Sequence, residues 1–379
     1  MRWFVVSTAV ALLVGGMISA EPTPQELRSI KPSRITINAT DAPLSNVLRA
    51  FAEQSGNRPI AVPRDWGDRT VSLKLRDVPY WEALDRLCRQ IGCVYEPLPQ
   101  DGERSGLTLT RVKKVPPSLA YVGPAVFHSV NMWKYRMFVP FRDKGSTQSL
   151  ACLFAYFWED RLTVIGTTVV WKSATTPEGG EVKLGYTAPA FPFRQVFRDG
   201  TVCPRVGVYM QSWQFPADDS MLGTIEGTLL LSVGWGEDKE ISLTDVLSGE
   251  ERIGVLGDRT LTAVKVPDKD HLEKGRTVTL RVKANTDDGR GPLALPIDHL
   301  TGKYGVFLVD PQGNRRRPNH MRRWYIQRDG RQYFDPEKKV KLIFNDLPQL
   351  EGEWSAVCVF PEHIDLHALP FRMENVPWP

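Results

Sequence analysis

The chain has little cysteine, little net charge and no long apolar run beyond its first twenty residues. Five cysteines among 379 residues cannot build a disulfide scaffold, and an odd number leaves at least one thiol unpaired within a monomer. A formal charge of +4, from 48 basic and 44 acidic residues, is too small to imply nucleic acid or an acidic polymer as partner. After residue 20 no segment stays apolar for the about 20 residues that a membrane-spanning helix needs. Catalytic signatures are missing too. There is no GxSxG, P-loop, GxGxxG or HExxH, and no Cys or Ser is flanked by residues of a known nucleophile motif. These absences put a binding or scaffold role ahead of turnover, and the composition implies no cofactor.

What is present starts at the N-terminus. Arg2 precedes an apolar stretch from Trp3 to Ile18, and Ala20 stands before Glu21 and two nearby prolines. This is the pattern of a cleaved export signal over 1–20, which makes the mature chain periplasmic or secreted and not an integral membrane protein. A retained anchor is the alternative, because Ile18 is only a fair residue at the cleavage site. What remains suffices for two or three domains of about 100–150 residues.

The most informative pattern is a repeat. APLSNVLRAFAEQSG (Ala42 to Gly56) and VPYWEALDRLCRQIG (Val78 to Gly92) align without a gap at an offset of 36, matching Pro43 with Pro79, Leu48 with Leu84, Gln54 with Gln90 and Gly56 with Gly92. In the first copy Leu44, Val47, Leu48 and Phe51 form one helical stripe. In the second, Trp81, Leu84, Leu87, Cys88 and Ile91 do the same. Asp41 and Asp77 are read as helix caps with a proline in the first turn, and Gly56 and Gly92 as left-handed stops. Strands are expected around Ile35 and Ile37, at Pro59 to Val62, at Val71, Leu73 and Leu75, at Val94 and Tyr95, and from Leu107 to Thr110. Two helices with one apolar stripe each must cover a sheet, so the expected object is a two-layer α+β domain at 33–115, a duplicated strand-helix-strand.

This succession of strand, Leu-x-x-x-Leu helix, glycine, strands and second helix over residues 33–112 resembles the short N-terminal domain of secretins and TonB-dependent receptors. The resemblance implies periplasmic docking on an envelope protein partner and brings no catalytic residue. The rest departs from those families. It lacks the roughly ten-residue alternating segments of an outer-membrane barrel, so their transport role is not carried over.

From Val115, Pro116 and Pro117 a linker leads into short β-branched or aromatic segments: Glu181 to Tyr186, Val206 to Trp213, Thr224 to Val233 and Arg259 to Val266. Leu150 to Trp158, apolar on both faces, is read as a central strand, with a helix as the alternative. A boundary at Pro267 to Gly275 would divide a β-rich sandwich-like domain at 118–266 from a C-terminal immunoglobulin-like sandwich at 275–379. The latter is expected to hold strands at Tyr304 to Val309, Arg323 to Gln327, Val340 to Phe344, Trp354 to Phe360 and Phe371 to Met373.

Candidate sites are few. Cys88 and Cys93 are near enough in sequence for a bridge, while Cys88 also reads as a small core residue. His363, Asp365 and His367 would share one side of a strand and could offer ligands to a metal, but a turn before the last strand is the preferred reading. Asp268, Asp270, His271 and Glu273 read as a solvated loop, Asp287 and Asp288 as a hairpin turn, and Asp218 and Asp219 as loop acids whose hydrolytic use is a remote alternative. The strongest charge feature is NRRRPNHMRRW. There Arg315, Arg316, Arg317, Arg322 and Arg323 with Trp324 could grip an anionic glycan or envelope polymer. Eleven tryptophans raise the same idea, although most sit in strand patterns where an aromatic is ordinary. The leading expectation is a non-enzymatic docking or scaffold protein of the envelope, with glycan binding and an unrecognised hydrolase as alternatives.

Overall fold

The computed structural model describes residues 30–63, 66, 69–97, 107–113, 119–137, 147–184, 205–214, 221–266, 277–286, 303–323, 325–328, 331–334, 340–347 and 351–377. The segment 1–20 expected as an export signal, the linker prolines, the acidic segments at 218–219, 268–273 and 287–288, and Trp324 lie outside them. The chain is mainly β, with two helices among the described residues.

The order begins β1 (Arg34–Pro43), α1 (Leu44–Ser55), β2 (Thr70–Pro79), α2 (Tyr80–Ile91), β3 (Cys93–Pro97) and β4 (Leu107–Arg111). β1 and β2 form one antiparallel pair and β3 and β4 another; the segment around 59–62 contributes only an isolated bridge, Ala61 to Thr108. The β1–β2 register is itself symmetric. Arg34 pairs with Pro79 and Pro43 with Thr70, Ile37 with Leu75 and Ala39 with Leu73, so a pseudo-dyad passes between the paired residues Asn38 and Lys74.

Asp41 and Asp77 do not cap the helices. The N-cap residues are Pro43 and Pro79, neither of which makes a side-chain capping bond. The aspartates occupy the two symmetric register shifts at φ 47° and 53°. The first helical N–H groups are satisfied instead by backbone of the other repeat: Leu44 N–H donates to the Arg69 carbonyl at 2.8 Å and Tyr80 N–H to the Ser33 carbonyl at 3.0 Å. Because the antiparallel pairing supplies an acceptor to each helix start, the local capping rule is overridden. Gly56 and Gly92 do end the helices in the left-handed conformation.

The remainder contains β5 (Ala120–Val122), β6 (Ala125–Met137), β7 (Thr147–Trp158), β8 (Val164–Ala174), β9 (Lys183–Leu184), β10 (Arg205–Gln214), β11 (Met221–Leu243), β12 (Arg252–Leu256), β13 (Arg259–Lys265), β14 (Val278–Thr286), β15 (Gly305–Val309), β16 (Arg315–Arg316), β17 (His320–Arg323), β18 (Tyr325–Arg328), β19 (Arg331–Phe334), β20 (Val340–Phe344) and β21 (Ser355–Pro377). They form five-stranded sheets ordered β5-β6-β7-β10-β9, β16-β15-β21-β11-β8 and β12-β13-β14-β20-β17, with β18 and β19 as a separate pair. β7 is central in its sheet and apolar on both faces because both are covered. Cys152, Phe154, Tyr156 and Trp158 enter one core, while Ala155 and Phe157 join the core of the two-helix segment.

β11 and β21, 23 residues each, pair along nearly their whole length. On β21 the odd residues Phe371 and Met373 enter the core shared with β6, β7 and β8, while the even residues Ala356, Cys358 and Phe360 enter the core shared with β13, β14 and β20. Since alternate residues of a strand face opposite ways, these two cores lie on opposite faces of one continuous sheet. On β11 odd residues serve both cores on either side of the shift, Leu229 and Leu231 in one and Ile241 and Leu243 in the other, because a register shift between Trp235 and Asp238 reverses its facing. Each core therefore draws on residues from both sides of 267–275. Pro361 to His367, expected as a turn, is the middle of β21, paired with β11 on both sides of the shift at Glu362.

Candidate functional site

The two-helix segment is fastened to the β6–β7 sheet. Trp81 Nε1 donates to the Pro124 carbonyl at 2.9 Å, and the Trp81 ring packs on Phe157 with centroids 5.9 Å apart. Burial, and then the charge of Asp85, raises the Tyr95 phenol well above its ordinary pKa, so it stays protonated and meets His128 Nε2 at 2.6 Å. Tyr121 donates to Asp85 Oδ2 at 2.5 Å. At the rim, the fully buried Glu159 accepts from Ser33 N–H at 3.0 Å, from Ser33 Oγ at 2.6 Å and from Arg161 Nε at 2.7 Å. Arg58 N–H donates to Asp160 Oδ1 at 2.9 Å, and Arg161 N–H to Asn57 Oδ1 at 2.9 Å. These contacts occupy one side of the segment.

The opposite side is the outer face of β1–β2. Ile35, Ile37, Val71, Leu73 and Leu75 point to the helices and are buried, whereas Arg34, Thr36, Asn38, Thr40, Thr70, Ser72, Lys74 and Arg76 alternate with them and are exposed. No large exposed hydrophobic residue lies on these two strands among the described residues. A partner would be held there by hydrogen bonds and charge. The strand backbones are partly engaged already: Gln54 accepts from Thr36 N–H at 2.8 Å and donates to the Thr36 carbonyl at 2.9 Å, and its repeat mate Gln90 donates to the Ser72 carbonyl at 2.7 Å. The match of Gln54 with Gln90 was visible in the sequence; what they hold was not, because their partners lie 18 residues away.

The arginine run divides between two sheets. Arg315 and Arg316 form β16 in the shared sheet, while Arg322 and Arg323 belong to β17 beside β20 in another. Arg315 bonds Glu240 at 2.7 Å, and the guanidinium groups of Arg315 and Arg317 lie 5.8 and 4.5 Å from the Phe307 ring centre. Burial lowers the Arg317 pKa. Arg316 Nε is 4.0 Å from Asp310, whose Oδ1 accepts from the N–H groups of Gln312 and Asn314. The first three arginines thus have contacts within the chain.

On β21, His363 stacks on Trp235 with centroids 3.9 Å apart, and Asp365 accepts from Trp235 Nε1 at 2.7 Å. His363, Asp365 and His367 do not converge, and no group of three or more potential ligands among the described residues could hold a metal ion. Trp158, Trp171 and Trp354 are buried core residues.

No protein-family model matches the chain. A segment of 68 residues is 35% identical to the DNA utilization protein HofQ of Escherichia coli (strain K12), covering 18% of this chain and 16% of that protein. The chain thus spans only a small part of HofQ's length. The match is compatible with a secretin-like segment and with an envelope protein. No helix among the described residues is long and apolar enough to cross a membrane.

Proposed function

We propose that this chain is a non-enzymatic docking protein of the cell envelope, exported to the periplasm. In this reading residues 33–115 form a two-layer α+β domain of the short N-terminal type, and the β-rich remainder is its scaffold. The observation that carries the proposal is the exposed polar face of β1–β2, centred on Asn38 and Lys74, on a segment whose other side is already occupied. The local likeness to HofQ supports the placement in the envelope. With Arg34, Lys74 and Arg76 on the face, the partner is a protein offering carboxylates and backbone acceptors, and its binding weakens as salt rises.

The test is site-specific photocrosslinking in the full-length chain. A crosslinker at Asn38 or Lys74 should give one discrete protein adduct that one at Val170, exposed on β8, does not give. The substitutions Arg34→Glu and Arg76→Glu should remove it. Equal adducts from positions 38, 74 and 170 would overturn the proposal. So would retention of DNA by the wild-type chain that is lost in the Arg76→Glu variant.

A further inference from the structure

Two buried thiols meet where α2 ends. Cys88 is 1% exposed and Cys93 0%, and both belong to the core of the two-helix segment. The backbone explains the meeting. Gly92, at φ 68°, returns its N–H to the Cys88 carbonyl, and this left-handed reversal brings the residue after the glycine back over the last helical turn. The same positions of the first repeat carry Ala52 and Asn57, so the turn itself has no need of sulfur. Cys152 and Cys358 sit in separate cores, each with its thiol pushed up to about 12 by burial.

We propose that Cys88 and Cys93 are a dithiol that closes to a disulfide, tying the last turn of α2 to β3. The oxidant is a small or protein disulfide acting by thiol–disulfide exchange. The Cys93 thiolate attacks one sulfur of that disulfide and expels the first thiolate. The Cys88 thiolate then attacks the Cys93 sulfur of the mixed disulfide and expels the second. One S–S bond is broken and one made; the two protons come from Cys88 and Cys93, and the two electrons end on the released thiols. The same bond closes if Cys88 attacks first, since the exchange precedes the burial of either sulfur. With both sulfurs buried, exchange occurs while the helix end is still open, and the finished bond is shielded from reductant.

The experiment uses the full-length chain refolded with oxidised and reduced glutathione, then unfolded and alkylated without reductant. Arg89 lies between the two cysteines, so trypsin separates them unless a bond joins the fragments. The expected product is LCR linked to the QIGC peptide, two hydrogens lighter than the separate pair, with Cys152 and Cys358 alkylated. The link should vanish under reductant and in Cys88→Ala, where Cys93 becomes alkylated. Recovery of both peptides separately alkylated from the oxidised wild type would overturn the proposal, as would a link from either cysteine to Cys203. The melting temperature of the wild type should fall on reduction and that of the Cys88→Ala, Cys93→Ala double variant should not; an equal response of both also overturns it.

Discussion

The backbone N–H of Asp77 donates to the Thr36 hydroxyl at 3.0 Å, and that of Asp41 donates to Ser72 Oγ at 2.9 Å, the same bond drawn twice across the pseudo-dyad. Each aspartate sits in the left-handed region, at φ 53° and 47°, where a side chain costs roughly 1–2 kcal/mol and glycine almost nothing. Asp77→Gly should therefore raise stability by about 0.5–1 kcal/mol, since the N–H bond is kept and the ion pair of Asp77 with Arg34 is exposed and weak. Asp77→Val should lower it. Urea unfolding of the two variants reads the difference, and the same sign for both would show that the left-handed backbone is not what matters.

Gln54 and Gln90 hold equivalent places but not equivalent bonds. Gln54 makes two hydrogen bonds to Thr36 and Gln90 makes one to Ser72. At about 1 kcal/mol net for each bond, Gln54→Ala should cost about twice as much as Gln90→Ala. Amide exchange at Thr36 should also accelerate in the first variant alone.

Glu159 ties the start of β1 to the β7 end. Glu159→Ala takes the carboxylate from Arg161, itself 6% exposed, and from both donors of Ser33. Removing one partner of a buried pair costs about 3–5 kcal/mol, and replacing both with apolar residues costs much less. The double variant Glu159→Leu, Arg161→Met should thus melt above Glu159→Ala. If it melts below, the pair contributes more than its own desolvation.

Burial raises the pKa of Asp160, opposed by the N–H and charge of Arg58. The folded state therefore binds this proton more tightly than the unfolded chain does, and stability falls as pH rises from the ordinary value of 3.8 through the raised one. The cost is fully present above the folded pKa and absent below 3.8. Asp160→Asn retains an acceptor for Arg58 N–H and removes the charge. It should flatten the pH dependence in that window and leave neutral-pH stability equal or higher, as thermal melts at several pH values would register.

The repeat was legible because identities and apolar spacing recur in register, and the stripes led by Leu44 and Trp81 became the buried faces of two helices. Asp41 and Asp77 misled because capping is a local rule, and the deciding acceptors, Arg69 and Ser33, arrive from the other repeat. Trp354 to Met373 looked like two strands because Glu362, His363, Asp365 and His367 interrupt the apolar alternation. In the fold β21 changes at that point from one core to the other, and its polar residues mark the crossing. The arginine run announced charge, while the contacts of Arg315 with Glu240 and of Arg317 with Phe307 depend on strand pairing that no short window of sequence contains.

The long pairing of β11 with β21 also governs the order in which the molecule can be completed. A nascent chain that ends before Ser355 has most of the residues of both sandwich cores but lacks Ala356, Cys358 and Phe360 for one and Phe371 and Met373 for the other. Both cores stay open on one side until a single strand, more than a hundred residues downstream of β11, inserts between β11 and β15. Pairing across more than a hundred residues is slow to form, so the unfinished chain keeps apolar sheet exposed until β21 has emerged. A stop codon a few residues before Phe371 would be felt by the whole first core, far upstream of the truncation.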